Sequence, residues 1–138
     1  MRLLLNGPPG AGKNTQALYL SEKYNIPHIS IGNICRNHVD NKTPLGLEIT
    51  SYLEQSLLIP DKFVFQMLLE EVSKVLDGFV IDGFPRTVEQ SIWLSNEFQN
   101  NPFFDLLIYI DIDEGEIQKR LSGRLSCVGE GAIESNGN

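Results

Sequence analysis

Short apolar runs alternate along this chain with longer segments whose apolar positions recur at helical spacing. The apolar runs predict four strands, namely Arg2–Asn6, Ile26–Ser30, Gly78–Asp82 and Asp105–Ile112. The periodic segments predict helices at Asn14–Tyr24, after Gly32, at Pro44–Glu54, from Pro60-Asp61 onward, from an N-cap at Thr87 to about Phe98, and at Asp113–Leu121. This order of strand and helix predicts an α/β fold with three layers, in which helices cover both faces of a mostly parallel sheet.

The first predicted strand runs into a glycine-rich turn that ends on a lysine. The turn reads GPPGAGK over Gly7–Lys13, and this spacing matches a phosphate-binding P-loop. The backbone N–H groups of such a loop surround phosphate oxygens, and the following helix directs the positive end of its dipole at them. Glycine-rich turns also join strands to helices in proteins that bind nothing, but here strand, spacing, lysine and helix all agree. The pattern predicts nucleotide binding, with Asn14 and then Thr15 where a Ser or Thr normally follows the lysine.

Composition restricts the class of protein. With 138 residues, 41% of them apolar, the chain has the size and composition of one globular domain. The net charge of −7 argues against broad nucleic-acid binding, which needs a basic surface. No apolar stretch reaches the length of a membrane span, and the N-terminus lacks a signal-peptide pattern. Cys35 and Cys127 stand alone without a CxxC pair, so we predict ordinary thiols in a reducing cytoplasm.

A second informative segment follows the third predicted strand. Asp82 ends that strand and is followed by the turn Gly83–Thr87. A carboxylate at this position can bind Mg²⁺ opposite the P-loop, directly or through water, and Arg86 can clamp a phosphate with its forked N–H groups. In isolation the segment is an ordinary turn. Because ligands of parallel sheets bind beyond the carboxyl ends of the strands, we expect the P-loop, Asp82 and the arginines after the fourth strand to converge.

Together these motifs closely resemble adenylate kinase and the related nucleoside monophosphate kinases, over Met1 to about Arg124. The resemblance rests on Gly7–Gln16, Ile29–Arg36, Leu58–Asp61, Asp82–Thr87 with Gln90, and Arg120–Arg124. The family has a P-loop fold and transfers the γ-phosphoryl group of Mg-ATP to a nucleoside monophosphate, which gives two diphosphates. The resemblance therefore implies a phosphotransferase that uses ATP with Mg²⁺ and favours AMP as acceptor, with CMP and UMP left open.

The resemblance also implies a role for each matching residue. ATP would be bound by Gly10, Ala11, Gly12, Lys13, Asn14, Thr15, Arg120 and Arg124, with the two arginines at the edge of a lid. The monophosphate would be bound by Ile31, Arg36, Gly83, Arg86 and Gln90, with Arg36 and Arg86 on its phosphate. The expected catalytic residues are Lys13, Arg86, Arg120 and Arg124, and Asp82 would organise Mg²⁺. Residues 32–65 would form a mobile acceptor-binding segment within a kinase domain of residues 1–128, and residues 129–138 a flexible tail or lid remnant.

The chain departs from the family pattern at four positions. Asn14 stands where the family has Gly, Ile31 where it has Thr, Asn33 where it has Asp, and Leu125 where it has Arg. Loss of the hydroxyl at position 31 would weaken base selection by about 1 kcal/mol, the scale of one net hydrogen bond. His28 and His38 match no family motif, and we predict a structural role for the first and a surface position for the second.

Family members continue through a complete lid, further helices and a last strand, so the resemblance implies that the last strand and most of the lid are missing here. The fourth strand would then be an exposed sheet edge, through which the chain self-associates. Cys127 corresponds to the first thiol of zinc-type lids but has no companion cysteines, so we expect no structural zinc. Three hypotheses stay open: a phosphotransferase that is weak alone or completed by another chain, a nucleotide-binding module without turnover, and an N-terminal portion of a longer kinase.

Overall fold

The computed structural model describes residues 1–75, 77–97, 99 and 104–122. Within them, strands and helices follow one another in the predicted order. The strands are β1 (Arg2–Asn6), β2 (His28–Ser30), β3 (Phe79–Asp82) and β4 (Leu106–Tyr109). The helices are α1 (Lys13–Tyr24), α2 (Ile31–Asp40), α3 (Pro44–Glu54), α4 (Asp61–Val72), α5 (Val88–Glu97) and α6 (Glu114–Ser122). The tail predicted at residues 129–138 lies outside the described part of the chain.

The strands form one parallel sheet in the order β2-β3-β1-β4. The central strand β1 is buried on both faces, which explains why Leu3–Leu5 is an uninterrupted apolar run. Parallel alignment brings the carboxyl ends of the strands to one edge of the sheet. Asp82 at the end of β3 pairs in register with Leu5 of β1 and with Ser30 of β2. The predicted parallel α/β fold is confirmed.

Helices cover both faces of the sheet, and the side chains of β1 point alternately to the two layers. Leu4 packs into a core with residues from α2, α3, α4 and α5. Leu3 and Leu5 point the other way and pack against Ala17 of α1. Burial of each such leucine stabilises the fold by about 2 kcal/mol, so the alternation holds the sheet between two helical layers.

Three strands are shorter than predicted: the third begins one residue later, at Phe79, and the second and fourth are shortened more by the elements beside them. Ile26 does not extend β2, since its N–H donates to the carbonyl of Ser21 and so closes the C-terminus of α1. On the fourth strand, the N–H of Ile110 still donates to the carbonyl of Asn6 at 2.8 Å, but β1 ends there and Gly7 begins the loop. The partner strand thus determines where each strand ends.

The structure contradicts the predicted surface position of His38. Only 13% of its side chain is exposed, and its Nδ1 lies 2.7 Å from the hydroxyl of Thr43. That hydroxyl also caps α3 by accepting the N–H of Gly46 at 2.9 Å. His38 is therefore part of the tight junction between α2 and α3, which sequence periodicity alone did not indicate.

Gly46 allows the closest approach of α3 to α2, and we predict that Gly46→Ala destabilises the protein strongly. A Cβ atom at this position would overlap the backbone carbonyl of His38. This carbonyl belongs to the last turn of α2 and cannot move away without disturbing the helix. We expect a loss of about 3 kcal/mol in the free energy of unfolding, at the upper end of ordinary overpacking costs. Denaturant unfolding measures it. The matched control is Gly32→Ala, where the added Cβ would meet only the Arg36 side chain at 3.4 Å; equal losses for the two variants would contradict this packing.

Burial also lowers the reactivity of the Cys35 thiol. Its thiol is buried beside Met67, with 3.9 Å between the two sulfur atoms. Desolvation raises the pKa of the Cys35 thiol, because burial disfavours the thiolate. A protonated, buried thiol is a poor nucleophile, which agrees with the prediction of an ordinary thiol. Cys127 lies outside the described residues, so the expectation of no structural zinc stays a prediction.

Candidate active site

The glycine-rich loop connects the end of β1 to the start of α1. Gly10 and Gly12 have φ angles of 84° and 89°, in the left-handed region that favours glycine. A Cβ atom on Gly12 would meet no described residue within 4 Å, apart from its two chain neighbours, so these residues leave the loop open on that side. No side chain caps the first turn of α1. The N–H groups at this helix end can therefore bind an anion.

Lys13 is the first residue of α1 and is only 3% exposed. Its Nζ donates a hydrogen bond to the carbonyl of Pro8 at 2.9 Å, which folds the side chain back along the loop. The ammonium group is thus held against the loop that is predicted to carry phosphates. Asn14 and Thr15 follow in the first turn of α1, where Asn14 is half-buried and Thr15 is exposed.

Asn6 links the loop to the turn that follows β3, and sequence reasoning missed this residue. Its Nδ2 donates to the carbonyl of Pro85 at 2.8 Å, and its Oδ1 accepts the N–H of Gly7 at 2.8 Å. Both ends of one amide are used, so the loop and the turn are fixed relative to each other. The sequence did contain one indication of this role, because Asn6 is the polar residue that ends an apolar strand.

Asp82 ends β3 at the same edge of the sheet and is 5% exposed. One of its carboxylate oxygens is hydrogen-bonded to Nε2 of His28, a side chain that is 9% exposed. Its other oxygen accepts no hydrogen bond from the described part of the chain. The predicted structural role of His28 is thus a specific one, because the imidazole orients the carboxylate that is expected to organise Mg²⁺.

The turn after β3 positions Arg86 by two hydrogen bonds. The guanidinium Nε donates to the carbonyl of Gly83 at 2.7 Å, and the backbone N–H of Arg86 donates to Oε1 of Gln90 at 2.7 Å. Gly83 has a φ of 80°, and a Cβ on it would lie 2.6 Å from the guanidinium, so only glycine fits beneath the arginine. The two terminal nitrogens of Arg86 donate to no described residue. They are available to bind an anion.

Arg120 approaches the loop from α6. Its NH1 donates to the carbonyl of Gly10 at 3.4 Å, and its Nε pairs with Glu116 at 3.1 Å. This contact joins residues 110 positions apart in sequence, and it places a cation beside the loop; that Arg120 binds ATP stays a prediction. Arg124 and Leu125 lie outside the described residues, so their roles stay predictions.

Ile31 and Arg36 lie on α2, which starts at the carboxyl end of β2. Ile31 packs against the main apolar core. The guanidinium of Arg36 is hydrogen-bonded to the side-chain amide of Asn33, one of the positions at which the chain departs from the family pattern. Ile31 thus directly follows the carboxyl end of β2, and Arg36 lies more than one helical turn further along α2. Within the described residues, no hydrogen bond joins Arg36 to the Arg86 turn.

Comparison with known proteins agrees with this arrangement. The family model described as "Adenylate kinase" matches residues 5–135. The chain is 44% identical to an adenylate kinase of Clostridium tetani over 130 residues, which are 92% of this chain and 60% of that protein. It is 44% identical to one of Acholeplasma laidlawii over 135 residues, which are 96% of this chain and 62% of the relative.

The chain spans about 60% of the length of the curated relatives it matches. Among the described residues, no helix is long and apolar enough to cross a membrane. The cytoplasmic location stays a prediction. The family model covers nearly the whole sequence, and the fold carries the P-loop, the acid at the end of β3 and the arginine turn that the resemblance implied. The chain belongs to the adenylate kinase family.

Proposed function

We propose that this chain transfers the γ-phosphoryl group of Mg-ATP to a nucleoside monophosphate, with AMP as the favoured acceptor, to give two diphosphates. One observation carries the proposal. The P-loop, Asp82 and the Arg86 turn are linked at one edge of the sheet by the side chain of Asn6 and by the register of β1 and β3. The names of the relatives, all adenylate kinases, support AMP as acceptor.

ATP is expected to bind with its phosphates on the loop. The backbone N–H groups of Gly10–Lys13 and the uncapped start of α1 donate to the phosphate oxygens. Lys13 exchanges its hydrogen bond to Pro8 for a phosphate oxygen, which moves the buried cation onto the transferred group. Arg120 lies close enough to the loop to neutralise further charge. Asn14 and Thr15 complete the set in the first turn of α1.

The residues present fit a magnesium ion. Mg²⁺ keeps several waters and is normally bound by one or two carboxylates together with substrate phosphates. Asp82 supplies such a carboxylate, with one oxygen fixed by His28 and the other without a partner in the described residues. When bound there, Mg²⁺ would offset the negative charge of the phosphates.

The monophosphate is expected to bind between α2 and the turn after β3. Arg86 offers its two free guanidinium nitrogens, and Arg36 offers a second guanidinium from α2. Gly83 and Gln90 lie next to Arg86 and are proposed to face the base, with Ile31 in place of a hydrogen-bonding hydroxyl. Residues 32–65, which hold α2 except its first residue, all of α3 and the start of α4, are proposed to be the mobile acceptor segment.

The proposed reaction requires no covalent bond between the protein and the substrates. The attacking phosphate oxygen is already anionic, so no general base is needed. Catalysis then depends on aligning donor and acceptor, on balancing charge and on excluding water. Lys13, Arg86, Arg120 and Arg124 are the proposed catalytic cations.

Initial rates of ADP formation with three acceptors test this function. ATP and Mg²⁺ are held constant while AMP, CMP or UMP is varied, and kcat/KM is compared. We expect the highest kcat/KM for AMP. A higher value for CMP or UMP would overturn the acceptor assignment, and nucleotide-dependent thermal stabilisation without turnover would overturn the enzymatic one.

We further propose that two copies associate through β4. This strand is one of the two outer strands of the described sheet, it carries no charged side chain, and Leu106 and Tyr109 are 54% and 61% exposed. Unprotected apolar edges of this kind pair with another chain, and antiparallel pairing of two β4 strands gives a closed two-fold dimer.

Light scattering after size exclusion tests this association. We expect a dimer for the unmodified chain, a monomer for Leu106→Lys, and a dimer for the control Leu18→Lys on exposed α1. A monomeric unmodified chain, or a dimer that survives Leu106→Lys, would contradict pairing through this edge.

A further inference from the structure

The side chain of Gln90 is held at both ends by groups from different parts of the chain. Gln90 is the third residue of α5 and is 8% exposed. Its Oε1 accepts the backbone N–H of Arg86 at 2.7 Å, and its Nε2 donates to Oδ1 of Asp61 at 2.8 Å. A buried amide with both ends paired has little freedom to rotate.

The chemistry of the two partners fixes which end of the amide is which. A backbone N–H can only donate, and an ionised carboxylate can only accept. The oxygen of Gln90 must therefore face Arg86, and its nitrogen must face Asp61. The second N–H of the Gln90 amide donates to no described residue, and Asp61 determines its direction.

Asp61 belongs to a different element from Gln90. It opens α4, which begins inside the proposed acceptor segment, whereas Gln90 and Arg86 belong to α5 and the turn before it. A continuous path of hydrogen bonds thus runs from Asp61 through Gln90 to Arg86, and from the guanidinium of Arg86 to Gly83. This path connects the start of α4 with the arginine whose terminal nitrogens are free to bind phosphate.

We propose that Asp61 is a positioning residue for the acceptor site, an inference that rests on the proposed kinase function. Its carboxylate holds Gln90 in one orientation and, through Gln90, holds the backbone of Arg86 where the guanidinium meets the acceptor phosphate. It also ties the start of α4 to α5. Loss of the carboxylate weakens acceptor binding and leaves the P-loop unchanged, because none of these bonds involves the loop.

A double-mutant cycle in steady-state kinetics tests the proposal on the full chain. Asp61→Ala is expected to raise the KM for AMP about tenfold, the scale of a lost hydrogen bond to a charged group, with the KM for ATP changed less than about twofold. In a Gln90→Ala background, Asp61→Ala has no further effect on the KM for AMP, because the residue through which it acts is gone. Asp61→Asn keeps an acceptor oxygen and recovers most of the affinity.

The control for loss of an acid near a helix start is Glu89→Ala. Glu89 is exposed in the first turn of α5, next to Gln90 in sequence, and its side chain forms no hydrogen bond with the described residues. We expect an unchanged KM for AMP. A merely structural role of Asp61 would instead change the KM of both nucleotides, and its effect would persist in the Gln90→Ala background; either result overturns the proposal.

The two possible failures are distinguishable. If the unmodified chain makes no ADP and calorimetry detects no AMP binding, the proposed function fails and the role of Asp61 fails with it. If the unmodified chain is active and Asp61→Ala retains its KM for AMP, the positioning role alone is wrong. A tenfold rise that depends on Gln90 supports both.

Discussion

Lys13→Ala is expected to lower the rate of ADP formation about 10³-fold, because it removes the cation that the P-loop brings to the transferred phosphoryl group. The side chain is buried against the loop, so no neighbouring lysine can replace it. The fold should survive, since Lys13 is the first residue of α1 and not part of the apolar core. Initial rates at saturating ATP and AMP measure the loss of activity, and a thermal unfolding curve shows whether the fold survives.

Lys23→Ala is the matched control for Lys13→Ala. Lys23 lies in the last turn of the same helix, is exposed, and rests near the rings of Tyr19 and Tyr24. The substitution removes the same charge from the far end of α1, and we expect it to leave the rate within about twofold, as for an ordinary surface substitution. Similar activity in the Lys13 and Lys23 variants would mean that the loop does not carry the reacting phosphates.

Asp82→Asn is expected to lower the rate about 10²-fold and to raise the Mg²⁺ concentration needed for half-maximal activity, because an amide is a far weaker magnesium ligand than a carboxylate. The substitution preserves shape and can still bond to His28, so a change in packing does not explain the loss. A magnesium titration of the initial rate separates weaker metal binding from a slower reaction.

Asp105→Asn removes the same charge at the opposite end of the sheet and serves as the control. Asp105 is exposed and pairs with Arg2, whose backbone N–H and side chain lower the pKa of the carboxyl. We expect an unchanged magnesium requirement. A shift as large as that of Asp82→Asn would show that net charge, and not the carboxylate at the end of β3, governs the metal dependence.

The sequence predicted the parts of this site that are local in the chain. The P-loop follows from the spacing of Gly7, Gly12 and Lys13, and the position of Asp82 follows from an apolar run that ends in an acid. Both depend on rules of strand, turn and helix that operate within a few residues. The convergence of these segments followed from the parallel topology, which the order of elements implied.

The contacts that organise the site could not be predicted, because each joins residues far apart in sequence. His28 meets Asp82 across 54 positions, and Asn6 meets Pro85 across 79. Asp61 and Gln90, 29 positions apart, meet only because the fold brings the first turns of α4 and α5 together. No periodicity encodes such pairs. The error at His38 has another cause: its partner Thr43 is only five positions away, but its burial depends on how closely α3 approaches α2.

The most direct test of the central claim is a ³¹P NMR time course of the purified chain with equal concentrations of ATP and AMP in the presence of Mg²⁺. The account predicts that the ATP and AMP resonances decline together while ADP resonances appear and no inorganic phosphate accumulates, with no change in a parallel Lys13→Ala sample. ATP loss with inorganic phosphate formation and constant AMP, or identical time courses for the two samples, would contradict phosphoryl transfer by this chain.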